Sequence, residues 1–439
     1  MFHEAHACLA AGSVSSLLAQ ADFGEESWWQ RIRQIGTPIR ENAEEGLIRM
    51  HYFWRDTQAD TRQVYIDING VTDHHSTSPQ SLTRVGSSDV WHWSTRIDTD
   101  WRGSYSLIPI TTPHLPPAFS GDDEMRRQQQ RAWWISLMPL AQADPLNPHQ
   151  PLRGSRRVAL SNAHMPSAPD QSAWQAFDNG QSDNTPPTLH GLHWQSRLLG
   201  ITRNVWLYTS GESHPATQRP LVILLDGQNW VHGQPIFSAI DAETRAGRLP
   251  PACWLFIDAI DGQQREAELP CNEGFWQAVI RELIPLARQQ VAFSDQGDRT
   301  LVAGQSYGGL AALYAGLHWP QRFGRILTQS GSFWWPNLDY ILKPEQADQH
   351  PPGWLWQRLQ QGTLPTGRLT IFQEVGDREP DMLYVNQQLL PALQQAGHHV
   401  HFRRYNGGHD ALCWRGGLID GCRWLLADFL STELPFDVV

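Results

Sequence analysis

Hydrophobic and polar positions follow two different rhythms along this chain. In the first half, Val64, Ile66 and Ile68 alternate with Tyr65, Asp67 and Asn69 before a turn candidate at Gly70. Val90–Asp98 is a second alternating run, rich in aromatic residues, and Gly103–Ile110 a third. A period of two marks strands with one buried face. Short strands broken by Pro, Gly, Ser and Asp predict a β-sandwich. After Pro187 the rhythm changes. Apolar strand candidates at Val205–Tyr208, Leu221–Leu225, Trp254–Ile260, Leu301–Ala303, Arg325–Gln329, Leu369–Gln373 and Val400–Tyr405 are separated by longer stretches. Several of these have helical spacing: Phe275–Gln290, the set Leu310, Leu313, Tyr314 and Leu317, and Asp381–Ala396 ahead of Gly397. Strand–helix–strand alternation predicts an α/β second half with a mostly parallel sheet covered on both faces.

Between Ala141 and Pro187, prolines recur among polar residues, the texture of a linker. The chain of 439 residues therefore divides into a tail at 1–24 that need not be ordered, a β domain at 25–150, a linker at 151–187 and an α/β domain at 188–439. With 40% hydrophobic and 18% charged residues, the composition is that of a soluble protein, and no apolar run is long enough to span a membrane. A net charge of −11 argues against nucleic acid as a partner. Lys343 is the single lysine, so basic recognition falls to arginine. Five scattered cysteines without CxxC spacing argue against a disulfide framework or a zinc site. With no cationic signal region before Arg31, they point to a reducing cytoplasm.

The sharpest local chemistry is Gly304-Gln305-Ser306-Tyr307-Gly308, with an apolar strand before it and an amphipathic helix after it. That is the setting of a G-x-S-x-G nucleophile elbow, so Ser306 is the candidate nucleophile. Serine needs a base, and in this class the order is Ser, acid, His. Of the histidines after Ser306, only His409 falls in a loop, Asn406-Gly407-Gly408-His409, beyond the last core strand. The acid should follow the preceding strand. Glu374 belongs to that strand and Asp381 to the next helix, which leaves Glu379, favoured, with Asp377 as the alternative. Backbone donors for an oxyanion are expected at Tyr307 and at Gln228, with Gly227 second, in the loop after Leu221–Leu225. Aromatic and basic residues cluster near these loops: Trp230, Trp334, Trp335, Trp414 and Arg415. Such a set suits an anionic, aromatic ligand.

At these residues the chain resembles the enterochelin (ferric enterobactin) esterase family of the α/β-hydrolase superfamily. The likeness runs through Val302–Gly309, Ala315–Pro320, Gln329–Trp335 and Gly407–Gly417, with Glu26–Trp29 and Ala143–Pro148 in the first half. It implies an α/β-hydrolase C-terminal domain, preceded by an immunoglobulin-like β-sandwich domain that contributes to substrate access. It also implies a cytoplasmic esterase cleaving a cyclic tri-catecholoyl-serine siderophore as its ferric complex. Ser306 and His409 carry over as nucleophile and base. A Gly-x-x-Glu arrangement supports Glu379, while Asp377 departs from it. No metal or cofactor is implied, because iron enters only with the substrate. That complex is trianionic, which nominates Arg378 and Arg415 as substrate contacts. Two other readings remain: a feruloyl-type or other carboxyl esterase on the same scaffold, and a carbohydrate-binding protein with a vestigial hydrolase domain.

Overall fold

The computed structural model describes residues 8–153, 158–182, 185–213, 215–337 and 353–430. Its contacts group Met1–Asp170 with Asn406–Cys413 in one unit, and Gln171–Tyr405 with Trp414–Val439 in the other.

In the first unit the alternating runs become strands. These are β1 (Ile39–Asn42), β2 (Leu47–Arg55), β3 (Gln63–Ile68), β4 (Ser81–Arg84), β5 (Val90–Asp98), β6 (Arg102–Ile110), β7 (Leu152–Arg153) and β8 (Ala159–His164). They form one sheet in the order β1-β2-β5-β4-β3-β6-β8-β7, antiparallel throughout. Val64, Ile66 and Ile68 point into a core with Met50, Leu82 and Leu107, as period two requires. Tyr65, Ile108 and Ile110 face the other way, under Trp133 and Trp134 of the helix Asp123–Leu137. That helix starts where the Asp122 carboxylate accepts the Met125 N–H.

Two boundaries expected from the sequence need correction. Residues 8–24 are not a loose tail: Leu9 bridges to Glu41, and Val14 on the helix Ser13–Leu18 is buried with Trp28, Trp29 and Phe53. The apolar set Val14, Leu17 and Leu18 gives this short stretch a face to bury. Residues 151–187 are not a linker either. They supply β7 and β8 to the first unit, while Trp174 and Phe177 are buried in the second. The prolines there punctuate packed segments instead of loosening them.

The second unit holds β9 (Leu189–Ser196), β10 (Ile201–Ser210), β11 (Leu221–Leu224), β12 (Ala252–Ile257), β13 (Thr300–Gln305), β14 (Arg325–Gln329), β15 (Thr370–Gly376) and β16 (His399–Tyr405). Their order is β16-β15-β14-β13-β11-β12-β10-β9. The strands from β11 onward are parallel, and β9 and β10 form an antiparallel edge. β11 to β13 are buried at every position, hence their unbroken apolar texture. The chain steps from β11 to β12 on one side, then returns past β11 to β13 on the other. That reversal is the topological switch point, where sites in α/β sheets form beyond the strands' carboxyl ends. Among the described residues no helix is long and apolar enough to cross a membrane.

Candidate active site

β13 ends at Gln305 and the helix Tyr307–His318 begins at once, so Ser306 alone makes the turn. Its φ of +57° and ψ of −121° lie where a side chain is strained. The turn is tight enough that a Cβ on Gly304 would stand 2.3 Å from the Gly308 carbonyl. Ser306 itself stays half-buried, with its Oγ 3.2 Å from Ser332 Oγ. Its N–H donates to the Gln329 carbonyl at 3.0 Å, and its carbonyl accepts from the Ser332 N–H at 3.1 Å.

Strain recurs at this end of the sheet. Asp226, just past β11, has φ +52°, and Ser330, just past β14, has φ +47°. β11, β13 and β14 are neighbours, so three adjacent strands run out into non-glycine residues with positive φ. Each such residue costs about 1–3 kcal/mol, and clusters of them mark functional sites.

Asp226 is held by Arg265, whose Nε and Nη2 donate to its carboxylate at 2.7 and 2.8 Å. The same guanidinium reaches the Gln305 carbonyl at 3.3 Å, tying the turn after β11 to the residue before Ser306. Burial works against the Arg265 charge, but the Asp226 carboxylate outweighs it and raises the pKa. Gly227 lies so close to β12 that a Cβ would be 2.6 Å from the Ile257 nitrogen. Gln228 is pinned beside it, its Oε1 accepting from the Ala259 N–H at 3.0 Å. Tyr307 opens its helix, so its N–H has no partner within the helix. Its phenol is pushed up, by burial first and then by Glu266, and stays protonated.

Glu379, 6% exposed, accepts at Oε1 from Ser330 Oγ at 2.7 Å, the Gly376 N–H at 2.9 Å and Tyr405 OH at 2.9 Å. Asp377 is exposed and pairs with Arg404 at 2.5 Å. Glu374 is buried on β15, bonded to Arg403, and Asp381 sits in the first turn of the helix Pro380–Gln395, its pKa raised by burial. His409 lies on the Asn406–Cys413 stretch of the first unit, where its carbonyl accepts from Asn69 Nδ2 at 2.9 Å. Beside it, the Asp410 carboxylate accepts from the Ser104 N–H at 2.5 Å and Oγ at 3.0 Å.

Two family models match the chain: the N-terminal domain of enterochelin esterases over residues 49–174, and a putative esterase domain over residues 196–425. The iron(III) enterobactin esterase of Dickeya dadantii is 57% identical over 424 residues, covering 95% of this chain and 96% of that protein. The chain belongs to the enterochelin esterase family. Among solved structures, the ferric enterobactin esterase of Salmonella typhimurium aligns with a TM-score of 0.82 at 42% identity, over 93% of this chain and 100% of that one. An enterobactin esterase of Shigella flexneri, crystallised in the presence of enterobactin, aligns with a TM-score of 0.79 at 40% identity, over 92% and 99%. The second unit of this family member thus has an α/β-hydrolase-like fold.

Within that unit, Ser306 and Glu379 are linked through the turn Ser330–Ser332, and the loop of Gly227 and Gln228 is tied to the elbow by Arg265. Three expected substrate contacts are corrected. Arg415 is 0% exposed, its guanidinium donating to Asp178 at 2.7 and 2.8 Å and to Gln171 at 2.8 Å, so it braces the enzyme's interior. Trp230 and Trp334 are 2% and 5% exposed and present little surface to a ligand. Trp335 and Arg378 are half-buried, as is Trp414, whose indole donates to Ser330 Oγ at 3.0 Å. Arg265, Ser330, Ser332 and Tyr405 escaped the sequence reading. Ser330 and Ser332 carried a signal, as small polar residues directly after a core strand. Arg265 carried none, since its partner is 39 residues away in the chain. Among the described residues no group of three or more His, Cys, Asp or Glu is placed to hold a metal ion.

Proposed function

We propose that this esterase hydrolyses the ester bonds of ferric enterobactin, the trilactone of catecholoyl-serine, so that its iron can be released. The observation that carries this reading is the strained elbow at Ser306, in a chain aligned almost end to end with an iron(III) enterobactin esterase. His409, oriented by Glu379, takes the Ser306 proton as Oγ attacks a seryl ester carbonyl. Negative charge on the carbonyl oxygen is met by the N–H groups of Tyr307 and Gln228, with Gly227 as the alternative donor. Collapse breaks the ester C–O bond, and His409 protonates the departing seryl alkoxide. Water, deprotonated by His409, then cleaves the acyl-enzyme to a linear carboxylate and restores Ser306. The reaction needs no resident cofactor; iron is cargo. Arg378 supplies positive charge for the trianionic complex, and Trp335 and Trp414 offer aromatic surface to its catechols.

The first unit is read as an immunoglobulin-like β-sandwich, a reading supported by its antiparallel strands and its match to the family's N-terminal model. Free thiols at all five cysteines support a reducing, cytoplasmic setting. Chromatography of products from ferric enterobactin, with the Ser306→Ala variant alongside, tests the assignment. Linear trimer, dimer or monomer should appear with the native protein alone. Cleavage of a simple aryl ester with the siderophore left intact would keep the hydrolase and discard the substrate.

A further inference from the structure

The turn that follows β14 touches both ends of the proposed chemistry in the second unit. Ser330 Oγ donates to Glu379 Oε1 at 2.7 Å, and two residues later Ser332 Oγ lies 3.2 Å from Ser306 Oγ. We infer that Ser330-Gly331-Ser332 is a spacer that fixes the nucleophile and the acid relative to each other, with Ser332 a catalytic residue at the attacking oxygen and Ser330 a positioning residue for Glu379. This rests on the proposed roles of Ser306 and Glu379.

Both serines are closed to solvent, at 0% and 1% exposure, so neither is available as a separate surface site. A buried hydroxyl needs a partner, and here the partners are the groups assigned to the reaction. Ser330 holds φ +47°, a conformation that costs energy and places its Oγ within reach of three polar groups. Trp414 Nε1 donates to that oxygen at 3.0 Å, so the hydroxyl proton is turned toward Glu379. Tyr405 OH adds a second hydroxyl donor to the same carboxylate oxygen. Ser332 is fixed through its backbone, the N–H donating to the Ser306 carbonyl at 3.1 Å. The turn itself is anchored on three sides: Ser330 N–H to the Glu374 carbonyl at 2.8 Å, Gln329 carbonyl to the Ser306 N–H at 3.0 Å, and Gly331 carbonyl to Asn386 Nδ2 at 2.9 Å. Asn386 is buried and itself held by Gln373.

A hydroxyl 3.2 Å from Ser306 Oγ limits the rotamers of the nucleophile before attack. It can also donate to that oxygen as the proton leaves. Donors on one Glu379 oxygen fix the plane of the carboxylate, which sets the direction of its other oxygen. Substrate contacts are not involved, so the effects should fall on kcat and not on KM.

The test is steady-state hydrolysis of ferric enterobactin by Ser330→Ala, Ser332→Ala and the double variant, with the rate of Ser306 labelling by a fluorophosphonate read by mass spectrometry. Each single variant should lose about five- to tenfold in kcat with KM within about twofold, and Ser332→Ala should slow labelling by a similar factor. The double variant should lose less than the product of the two, because one turn carries both contacts. Unchanged kcat in both singles, or a rise in KM alone, overturns the inference. If the variants lose stability, Tyr405→Phe reads the same carboxylate from a half-buried position, and a kcat equal to the native enzyme's there overturns the positioning of Glu379. Ser306→Ala and Glu379→Gln run alongside. Should either retain native turnover, the reading of the triad fails, and with it the premise.

Discussion

Each unit of this molecule buries a carboxylate among hydroxyl donors, and the two cases differ in one respect. In the first unit, Asp144 accepts from Thr37 Oγ1 at 2.6 Å, Tyr105 OH at 2.8 Å and the Leu146 N–H at 2.9 Å. In the second, Glu379 accepts from Ser330, Tyr405 and Gly376. In these donors the two are alike. Yet neither Asp144 nor any of its donors Thr37, Tyr105 and Leu146 has a positive φ, whereas Glu379 bonds to Ser330, one of three strained non-glycine residues at the ends of β11, β13 and β14. Satisfied polar groups in relaxed backbone stitch β6, the loop at Asp144 and β8 together. Satisfied polar groups in strained backbone aim side chains. A buried carboxylate is not by itself a site; the conformation of its donors separates the two uses.

The largest losses are expected at the nucleophile and base. Ser306→Ala and His409→Ala should each reduce kcat on ferric enterobactin by about 10³- to 10⁶-fold, with the melting temperature held, since triad members act as a unit. Turnover near native in either would remove the triad as drawn. Next comes the acid. Glu379→Gln keeps shape but loses charge, and kcat should fall by about 10²- to 10⁴-fold. Asp377→Asn should leave it within about twofold, because an exposed ion pair contributes little. The reverse pattern would move the acid to Asp377.

Asp144→Ala sharpens the contrast from the other side. It strands the donors of Thr37, Tyr105 and Leu146, and burial already pushes this carboxyl up against their pull, so there is little slack. Stability to urea should fall by about 3 kcal/mol while kcat per folded molecule is kept. A loss of kcat at full stability would make Asp144 a functional group despite its relaxed surroundings.

Period and punctuation made much of this legible. Val90–Asp98 and Arg325–Gln329 are strands with the boundaries their patterns suggest, and the glycines around Ser306 announce the elbow. What stayed hidden depends on long-range contacts. Asp123–Leu137 is a helix whose tryptophans cover the back of a strand, in a region otherwise patterned as β. Phe275–Gln290 is helical, but a wider turn at Val279–Leu283 interrupts it ahead of Pro285, whose ring cannot sit in a regular interior turn. Arg415 and Trp414 illustrate the limit for sites. Their proximity to His409 in sequence suggested ligand contacts. Arg415 instead braces Asp178 in the interior, while Trp414 spends its indole N–H on Ser330 Oγ and keeps a half-buried ring.

The smallest expected effect is a titration in the first unit. His92 Nε2 and His51 Nδ1 lie 3.0 Å apart, and His51 Nε2 faces Glu41 at 3.2 Å. Burial lowers both histidines, with the neighbouring His51 adding to the effect on His92, which drops to about 4. Arg49 also opposes charge on His51, while Glu41 favours it. A histidine held neutral in the fold but protonated when unfolded contributes its full stability above pH 6.5, the ordinary value. That contribution is lost as pH falls from 6.5 toward about 4. Melting temperature should therefore decline across this window, on the order of a few degrees, and His92→Gln should flatten the decline. Because no strained residue or reacting group adjoins this pair, kcat on ferric enterobactin in His92→Gln should track that of the native protein at every pH where both are folded. A change in the kinetic pH profile would tie the pair to the chemistry and show that relaxed backbone does not exclude a functional role.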